Sequence, residues 1–368
     1  MALTIVSVGS AVVPVRYDGL GGSEQILTLL DEAFVARGYR SIVVGCEGSN
    51  VAGMLVPTPI PRRTGFSPIA AEEAHEVQAI VLERLLATVG ADLVHMHGVG
   101  CETYLPEARV PLLITLHRPP AGCPERIRAT SRPLTFFNCV SQFSRRLYPL
   151  ETPAVVVPNG VPLDRFRPAS AKEDFAIAFG PICREKGFHL ALDAAKRAGV
   201  PLILGGALGP RPEDARYFEE EIRPRLDESR RFAGALPLVE RAELVARARC
   251  VVVPSLVDES SSLVAIEALA SGTPVVARPV GAVAENIEHG RTGLFAYAVD
   301  DMARALLDVV HLDPRECRLV ACERFSSERM IESYIKLYAR MGARSSEPVA
   351  LPPFSPDAPR ARSAALGG

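Results

Sequence analysis

Tryptophan is absent from the 368 residues, and the first lysine is Lys172. Neither fact bears on function, but other absences exclude more. No apolar run approaches the roughly 20 residues of a membrane-spanning helix, which excludes a helical integral membrane protein. The opening MALTIVSVGS has no basic n-region and reads as a first strand, not as a signal peptide. Neither sign of charge is in excess: 41 lysines and arginines face 43 aspartates and glutamates, a net charge of -2, so no nucleic-acid partner is expected. The eight cysteines form no CxxC and no Cys/His cluster of zinc spacing, so no metal site is expected. Apolar neighbours, as around Cys139 in LTFFNCV and Cys250 in ARCVVVP, suit buried thiols in a reducing cytoplasm. Missing too are GxGxxG and the phosphate loop GxxxxGKS/T, which disfavours a dinucleotide cofactor.

What is present is an α/β pattern that runs twice. Strand-like runs lie at 3–8, 41–45, 92–96, 111–116, 134–140 and 154–158, with amphipathic helices at 23–37 and 72–89. After the proline-rich stretch 158–174 the pattern restarts, with strands at 175–179, 201–206, 230–234, 250–254, 273–277 and 292–296. Continuous apolar strands followed by helices imply parallel sheets covered on both faces. The organisation predicted is two doubly wound domains, 1–160 and 161–325, a helix at 326–344, and a disordered Pro/Ser/Ala-rich tail at 345–368. In such sheets the ligand sits beyond the carboxyl ends of the strands, so the loops that follow strands matter most.

Three loops stand out. In DESSSLVAIEALASGTPVVA, Glu259 precedes a helix expected to start near Ser262, while Glu267 falls inside it among Leu263, Ile266 and Leu269. Free N–H groups and hydroxyls at that helix start are a ready phosphate site. The spacing is equally compatible with an ordinary capped core helix that turns one carboxylate to solvent. In FGPICREKGFHL, Arg184 and Lys186 offer cations and Gly187 permits a close backbone approach; solvated loop charges are the plainer reading. The glycines of GLGGSEQI permit a backbone-lined anion pocket but are weak alone. His95 and His97 end one strand and His117 another, so all three are expected at one rim, with one of the pair 95/97 packed away. Ser141 is placed to cap the next helix.

Taken together, GGSE, LITLH, VSQFSRR, VPNGVPLDRFRP, the EKG loop and the Glu259/Glu267 pair followed by ALASGTPVV resemble glycosyltransferase family 4, retaining enzymes of the GT-B fold, over the chain to about residue 342. The resemblance implies an α/β GT-B architecture of two Rossmann-like domains facing across a deep cleft. It implies a nucleotide-sugar donor, a glycan, lipid-linked or small-molecule acceptor, and neither metal nor cofactor. Carried onto this sequence, Gly21 and Gly22 approach the donor phosphates and Lys186 pairs with the diphosphate. Glu259 contacts the donor sugar, Ser262 and Leu263 give backbone donors to phosphate, and Glu267 binds the ribose. The backbone of Ala235 and Leu236 holds the base, and His117 faces the reacting centre. The C-terminal helix is expected to return across the first domain.

One position departs from the pattern. An arginine commonly follows the glycine at position 180 and shares the diphosphate; here it is Pro181, and Arg184 is the candidate replacement. The departure supports an alternative, a GT-B nucleotide-sugar-binding protein with weakened or lost transfer. A nucleotide-sugar 2-epimerase uses additional acid/base residues around the sugar, and this sequence shows no clear extra pair. The segments 61–66 and 125–132 are short basic candidates for peripheral contact with the inner membrane face, neither long enough to require it. Acceptor loops at 46–70 and 98–104 match no readable pattern.

Overall fold

The computed structural model describes residues 3–19, 21–60, 68–97, 105–107, 110–120, 130, 132–148, 150 and 154–345. The tail beyond Ser345, the loop 98–104, the segment 61–66 and most of 125–132 lie outside the described residues.

The first sheet contains β1 (Thr4–Val8), β2 (Arg40–Cys46), β3 (Met54–Thr58), β4 (Leu93–Met96), β5 (Leu112–Leu116), β6 (Thr135–Cys139) and β7 (Val155–Val156). Their order is 3-2-1-4-5-6-7, every pair parallel. Helices α1 (Gly22–Ala36), α2 (Pro68–Thr88) and α3 (Gln142–Leu147) belong to this unit, and the Ser141 hydroxyl caps α3 by accepting from the Ser144 N–H. β1, β4 and β5 are buried along their whole length, as continuous apolar runs require. β3 was not expected from the sequence. It is short, contains Pro57 and lies at the sheet edge, the place where a strand tolerates proline.

The second sheet contains β8 (Glu173–Phe179), β9 (Leu202–Gly205), β10 (Arg230–Gly234), β11 (Ala248–Val253), β12 (Val275–Ala277) and β13 (Gly293–Phe295), in the parallel order 10-9-8-11-12-13. Around it lie α4 (Phe188–Ala198), α5 (Pro212–Tyr217), α6 (Leu238–Arg247), α7 (Leu263–Ala270), α8 (Val283–Asn286), α9 (Val299–Asp308) and α10 (Pro314–Arg324). Each sheet reverses its winding once, between β1 and β4 in the first and between β8 and β11 in the second. Chains leaving strands at such a point open a crevice for ligands.

The last helix, α11 (Ser327–Ser345), packs on the first sheet's side. Tyr338 lies 5.7 Å, centroid to centroid, from Phe34 of α1, and Glu332 pairs with Arg37 at 2.9 Å. Tyr334, Leu337, Tyr338 and Met341 join an apolar cluster that runs unbroken from Ile5 and Leu113 of the first sheet to Val251 and Ile266 of the second unit. The two chain crossings between the units are stitched together. Val161 N–H donates to Phe325 O and Ser327 N–H donates to Val161 O, both at 2.9 Å. A Cβ on Gly160 would lie 2.5 Å from Ser326 O, so only glycine fits beside the second crossing. Among the described residues no helix is long and apolar enough to cross a membrane.

Arg318 of α10 ties the linker to the second unit. Its guanidinium donates to Leu163 O at 3.1 Å, to Phe166 O at 2.7 Å, and to Ala270 O at the end of α7. Arg318→Ala leaves three carbonyls without their donor. The expected cost is about 2–3 kcal/mol, read as a lower urea midpoint, with Arg318→Lys recovering part of it. An unchanged midpoint would overturn the staple.

Candidate active site

The loops after β8 and β11 build one wall of the crevice. Gly187 closes the short turn Arg184–Lys186 with φ +66, and a Cβ there would lie 2.3 Å from Pro254 O. Glycine thus lets the two loops press together, which puts Lys186 Nζ 2.6 Å from Glu259 Oε1. Ser255 Oγ donates to the same carboxylate oxygen. Glu259 is largely covered, while Lys186 keeps more of its side chain at the opening. At the start of α7, Ser262 is the N-cap and its hydroxyl accepts from Ala265 N–H at 3.5 Å. Its own N–H goes to Asn286 Oδ1 at 3.3 Å. The phosphate donor expected at Ser262 is therefore already engaged, and the N–H groups free of acceptors at this helix start are those of Leu263 and Val264.

Glu267 sits in α7 at 2% exposure, an expensive place for a carboxylate without a cation. No lysine or arginine lies one turn away on its own helix. The cation comes from α6: Arg241 Nη2 donates to Glu267 Oε1 at 3.1 Å, and the guanidinium lies 5.5 Å from the Phe179 ring centre. Glu267 Oε2 and Arg241 Nε are both buried with no hydrogen-bond partner. Burial raises the Glu267 carboxyl above the usual carboxylate range, and Arg241 opposes the rise. From the first unit, buried Tyr17 senses the same charge: burial and then Glu267 raise its phenol, while Arg165 stacks 4.4 Å over its ring. Arg241 is not among the residues that the sequence marks for the site. The signal available was the buried glutamate itself, which had to find a cation on another element.

A cavity of about 310 Å³ joins these groups, bounded by Lys186, Glu259 and Leu263 at one end and by Arg241, Glu267 and Leu236 at the other. Ala235 and Leu236 follow β10, and Leu236 packs where a Cβ on Gly205 would fall 2.3 Å from its Cδ1. A second cavity of about 370 Å³ adjoins the first, sharing Gly22, Ser261 and Leu263 with it. It holds Glu24, His117, Arg118 and Asn159. Glu24 is buried, its carboxyl raised by that burial, and it accepts from Ser23 Oγ at 2.9 Å.

The expected residues thus divide. Gly22 lines both cavities, but Gly21 and His117 line only the second. A Cβ on Gly21 would sit 1.7 Å from Glu24 Oε2, so a larger residue there would displace the Glu24 carboxylate. Arg184 does not face the cleft. It lies over Tyr217 and pairs with Glu221 at 3.3 Å, its side chain 61% exposed, and it is not part of the lining of the first cavity, while Pro181 is. His117 lines the second cavity, while His95 and His97 are buried, held by hydrogen bonds to α11 and to each other. Among the described residues no group of three or more His, Cys, Asp or Glu is placed to hold a metal ion.

Residues 174–311 match the family model described as glycosyl transferases group 1. A D-inositol 3-phosphate glycosyltransferase of Corynebacterium urealyticum is 32% identical over 198 residues, covering 49% of this chain and 46% of that protein. The chain spans less than half the length of the curated relatives it matches. Among solved structures, AviGT4, a glycosyltransferase involved in avilamycin A biosynthesis, superposes with a TM-score of 0.70 at 23% identity, covering 93% of this chain and 98% of that one. Anabaena Alr3699/HepE in complex with UDP and glucose gives 0.72 at 16% identity, covering 92% and 100%. The two parallel sheets form the GT-B fold.

With its folded value raised, Glu267 favours folding as the neutral acid: that stability is fully present below the unfolded carboxylate value and is lost as pH rises through the folded one. Thermal denaturation across pH should therefore show a weaker dependence in this range for Glu267→Gln. Near neutral pH, Arg241→Leu strands the carboxylate and should cost about 3–5 kcal/mol, most of it regained in the Arg241→Leu/Glu267→Gln double variant. A single Arg241→Leu as stable as the parent would refute the pairing.

Proposed function

We propose that this chain, whose residues 174–311 match the family model described as glycosyl transferases group 1, is a retaining glycosyltransferase that moves a hexose from a nucleotide-diphosphate sugar to an acceptor hydroxyl. The observation that carries this reading is the arrangement in one cavity of Lys186 against Glu259, two free N–H groups at the start of α7, and the Arg241–Glu267 pair with two unpartnered buried atoms. Each end of a nucleotide sugar finds its chemical complement there. Glu267 Oε2 accepts from ribose hydroxyls, which its pairing with Arg241 keeps worthwhile by holding negative charge on the carboxylate. The backbone at Ala235 and Leu236 meets the base edge. The diphosphate lies at the Leu263 and Val264 N–H groups, where the helix dipole also favours it. Lys186 turns from Glu259 to the phosphate, which releases the carboxylate to grip the sugar hydroxyls.

The reaction is metal-independent and needs no cofactor, because Lys186 and the helix start carry the charge that develops on the leaving diphosphate. The acceptor enters the second cavity, beside the junction at Gly22, Ser261 and Leu263. Its hydroxyl approaches the anomeric carbon on the face that the phosphate leaves, and the departing phosphate oxygen takes the proton, so the configuration is retained. Glu24 there accepts from a further acceptor hydroxyl. The acceptor is a glycan, a lipid-linked sugar or a small polyol, the last in keeping with relatives named D-inositol 3-phosphate glycosyltransferase. We place the protein in the cytoplasm, which its free thiols suit, with the inner membrane face as its outer limit.

One observation favours a second reading, a nucleotide-sugar-binding protein with weakened transfer: Pro181 lines the cavity and Arg184 turns away from it. Acceptor-dependent release of nucleotide from UDP-, GDP-, ADP- and dTDP-sugars separates the two. Release with one donor class supports the transferase; a thermal shift with a donor but no release with any acceptor supports the binding protein. In either case Lys186→Ala should weaken donor affinity by about one to two decades, the worth of one charge-assisted contact. Equal affinity would remove Lys186 from the phosphate site.

A further inference from the structure

Beneath the second cavity lies a chain of buried polar groups for which the proposed reaction has no use. His117 Nε2 is 3.2 Å from His97 Nδ1, and His97 Nε2 is 3.0 Å from His95 Nδ1. His95 Nε2 is 2.7 Å from Thr115 Oγ1, which donates to Asn138 Oδ1 at 2.6 Å. Asn138 Nδ2 in turn donates to the Tyr334 hydroxyl at 3.1 Å, and the Tyr338 hydroxyl lies 2.6 Å from His95 Nδ1. Both tyrosines belong to α11. His95 and His97 are 0% and 3% exposed, and burial pushes all three imidazoles well down, His117 to about 4. Burial thus favours the neutral form, and in each ring-to-ring contact one of the two facing nitrogens must be bare to accept, so the position of one proton bears on the next.

The order follows from one end. Thr115 spends its proton on Asn138 and must accept at its oxygen, so His95 carries hydrogen on Nε2. His95 Nδ1 is then an acceptor, and its one lone pair is shared by the Tyr338 O–H at 2.6 Å and the His97 Nε2–H at 3.0 Å, since a second bare nitrogen facing it would be repelled. His97 Nδ1 is an acceptor in its turn and takes the His117 Nε2–H. We propose that His95 and His97 are positioning residues which hold His117 in the Nε2–H form, leaving Nδ1 as a hydrogen-bond acceptor for the cavity it lines. The consequence is specificity: the group that His117 meets must bring its own proton, as a sugar hydroxyl does and a carbonyl or carboxylate does not. Tyr334 on Asn138 and Tyr338 on His95 tie this chain of groups to α11.

The identity of the group at Nδ1 rests on the transferase reading above; the tautomer does not, and it is measured on ligand-free protein. Long-range ¹H–¹⁵N correlation on the full chain labelled at histidine nitrogen should show His117 with Nε2 protonated and Nδ1 bare. Thr115→Val removes the oxygen that accepts from His95 while touching neither cavity. His95 should then move its proton to Nδ1, where the Tyr338 oxygen accepts it, and His97 and His117 should reverse in sequence to the Nδ1–H form. His97→Leu, a second test should the valine variant not fold, cuts the chain and should leave His117 in a mixture of tautomers. A parent protein with His117 Nδ1–H, or folded variants in which His117 is unchanged, would overturn the proposal. If transfer is detected, the reversed variant should lose about tenfold in kcat/KM through the lost acceptor. If no transfer is detected, the spectra still decide the tautomer.

Discussion

A carboxylate in the middle of a buried helix is the constraint around which the second unit is arranged. Glu267 lies among Ala265, Ile266, Ala268 and Leu269, all fully buried, and its own helix offers no cation. An ionised Glu267 is tolerated in α7 because α6 brings Arg241 alongside, and Arg241 in turn leans on Phe179 at the end of β8. The last residue of the central strand, the start of the crevice and the floor of the first cavity are therefore fixed by one buried charge pair. Because one oxygen and one nitrogen of that pair have no partner, the same interaction that organises the wall leaves it receptive to polar groups.

The glycines do complementary work. Gly187 lets the β8 and β11 loops meet, and Gly206, at φ +152, lies so close to the Gly180 carbonyl that a Cβ would fall 1.9 Å from its oxygen. These contacts bring backbone against backbone around a crevice where larger residues would hold the loops apart. Charge placement inside the site thus depends on positions that carry no charge.

Most of the architecture was legible because parallel strands covered on both faces must be continuous apolar runs, and β1, β5, β8 and β11 are such runs. β3 escaped because an edge strand can carry proline and exposed residues and still pair. α10 escaped because its sequence, PRECRLVACER, is strongly polar; it is held by Arg318 and a narrow apolar seam of Cys317, Val320 and Ala321. In the site, Lys186, Glu259 and Glu267 were legible from their places after strands and inside a helix. Arg241 was not, since an arginine on an amphipathic helix looks the same whether it meets solvent or a buried glutamate. Arg184 looked like a clamp because it is close in sequence to Lys186, but Tyr217 and Glu221 hold it on the outer side of the turn. The roles of His95 and His97 depended on partners from α11, more than 200 positions later, which no local pattern announces.

The paired crossings at Val161 and Ser326 have a mechanical consequence. Two separate straps between two bodies would let them slide, twist or open independently at each strap. Here the straps are hydrogen-bonded to one another at Val161 and again from Gly160 N–H to Met330 Sδ at 3.2 Å, with Gly160 filling the gap between them, so the two cannot shift independently at this crossing. Because α11 leaves that crossing and packs against α1, it travels with the first body. A rotation of the second body about that crossing would leave the tyrosines that contact the histidines seated on the first.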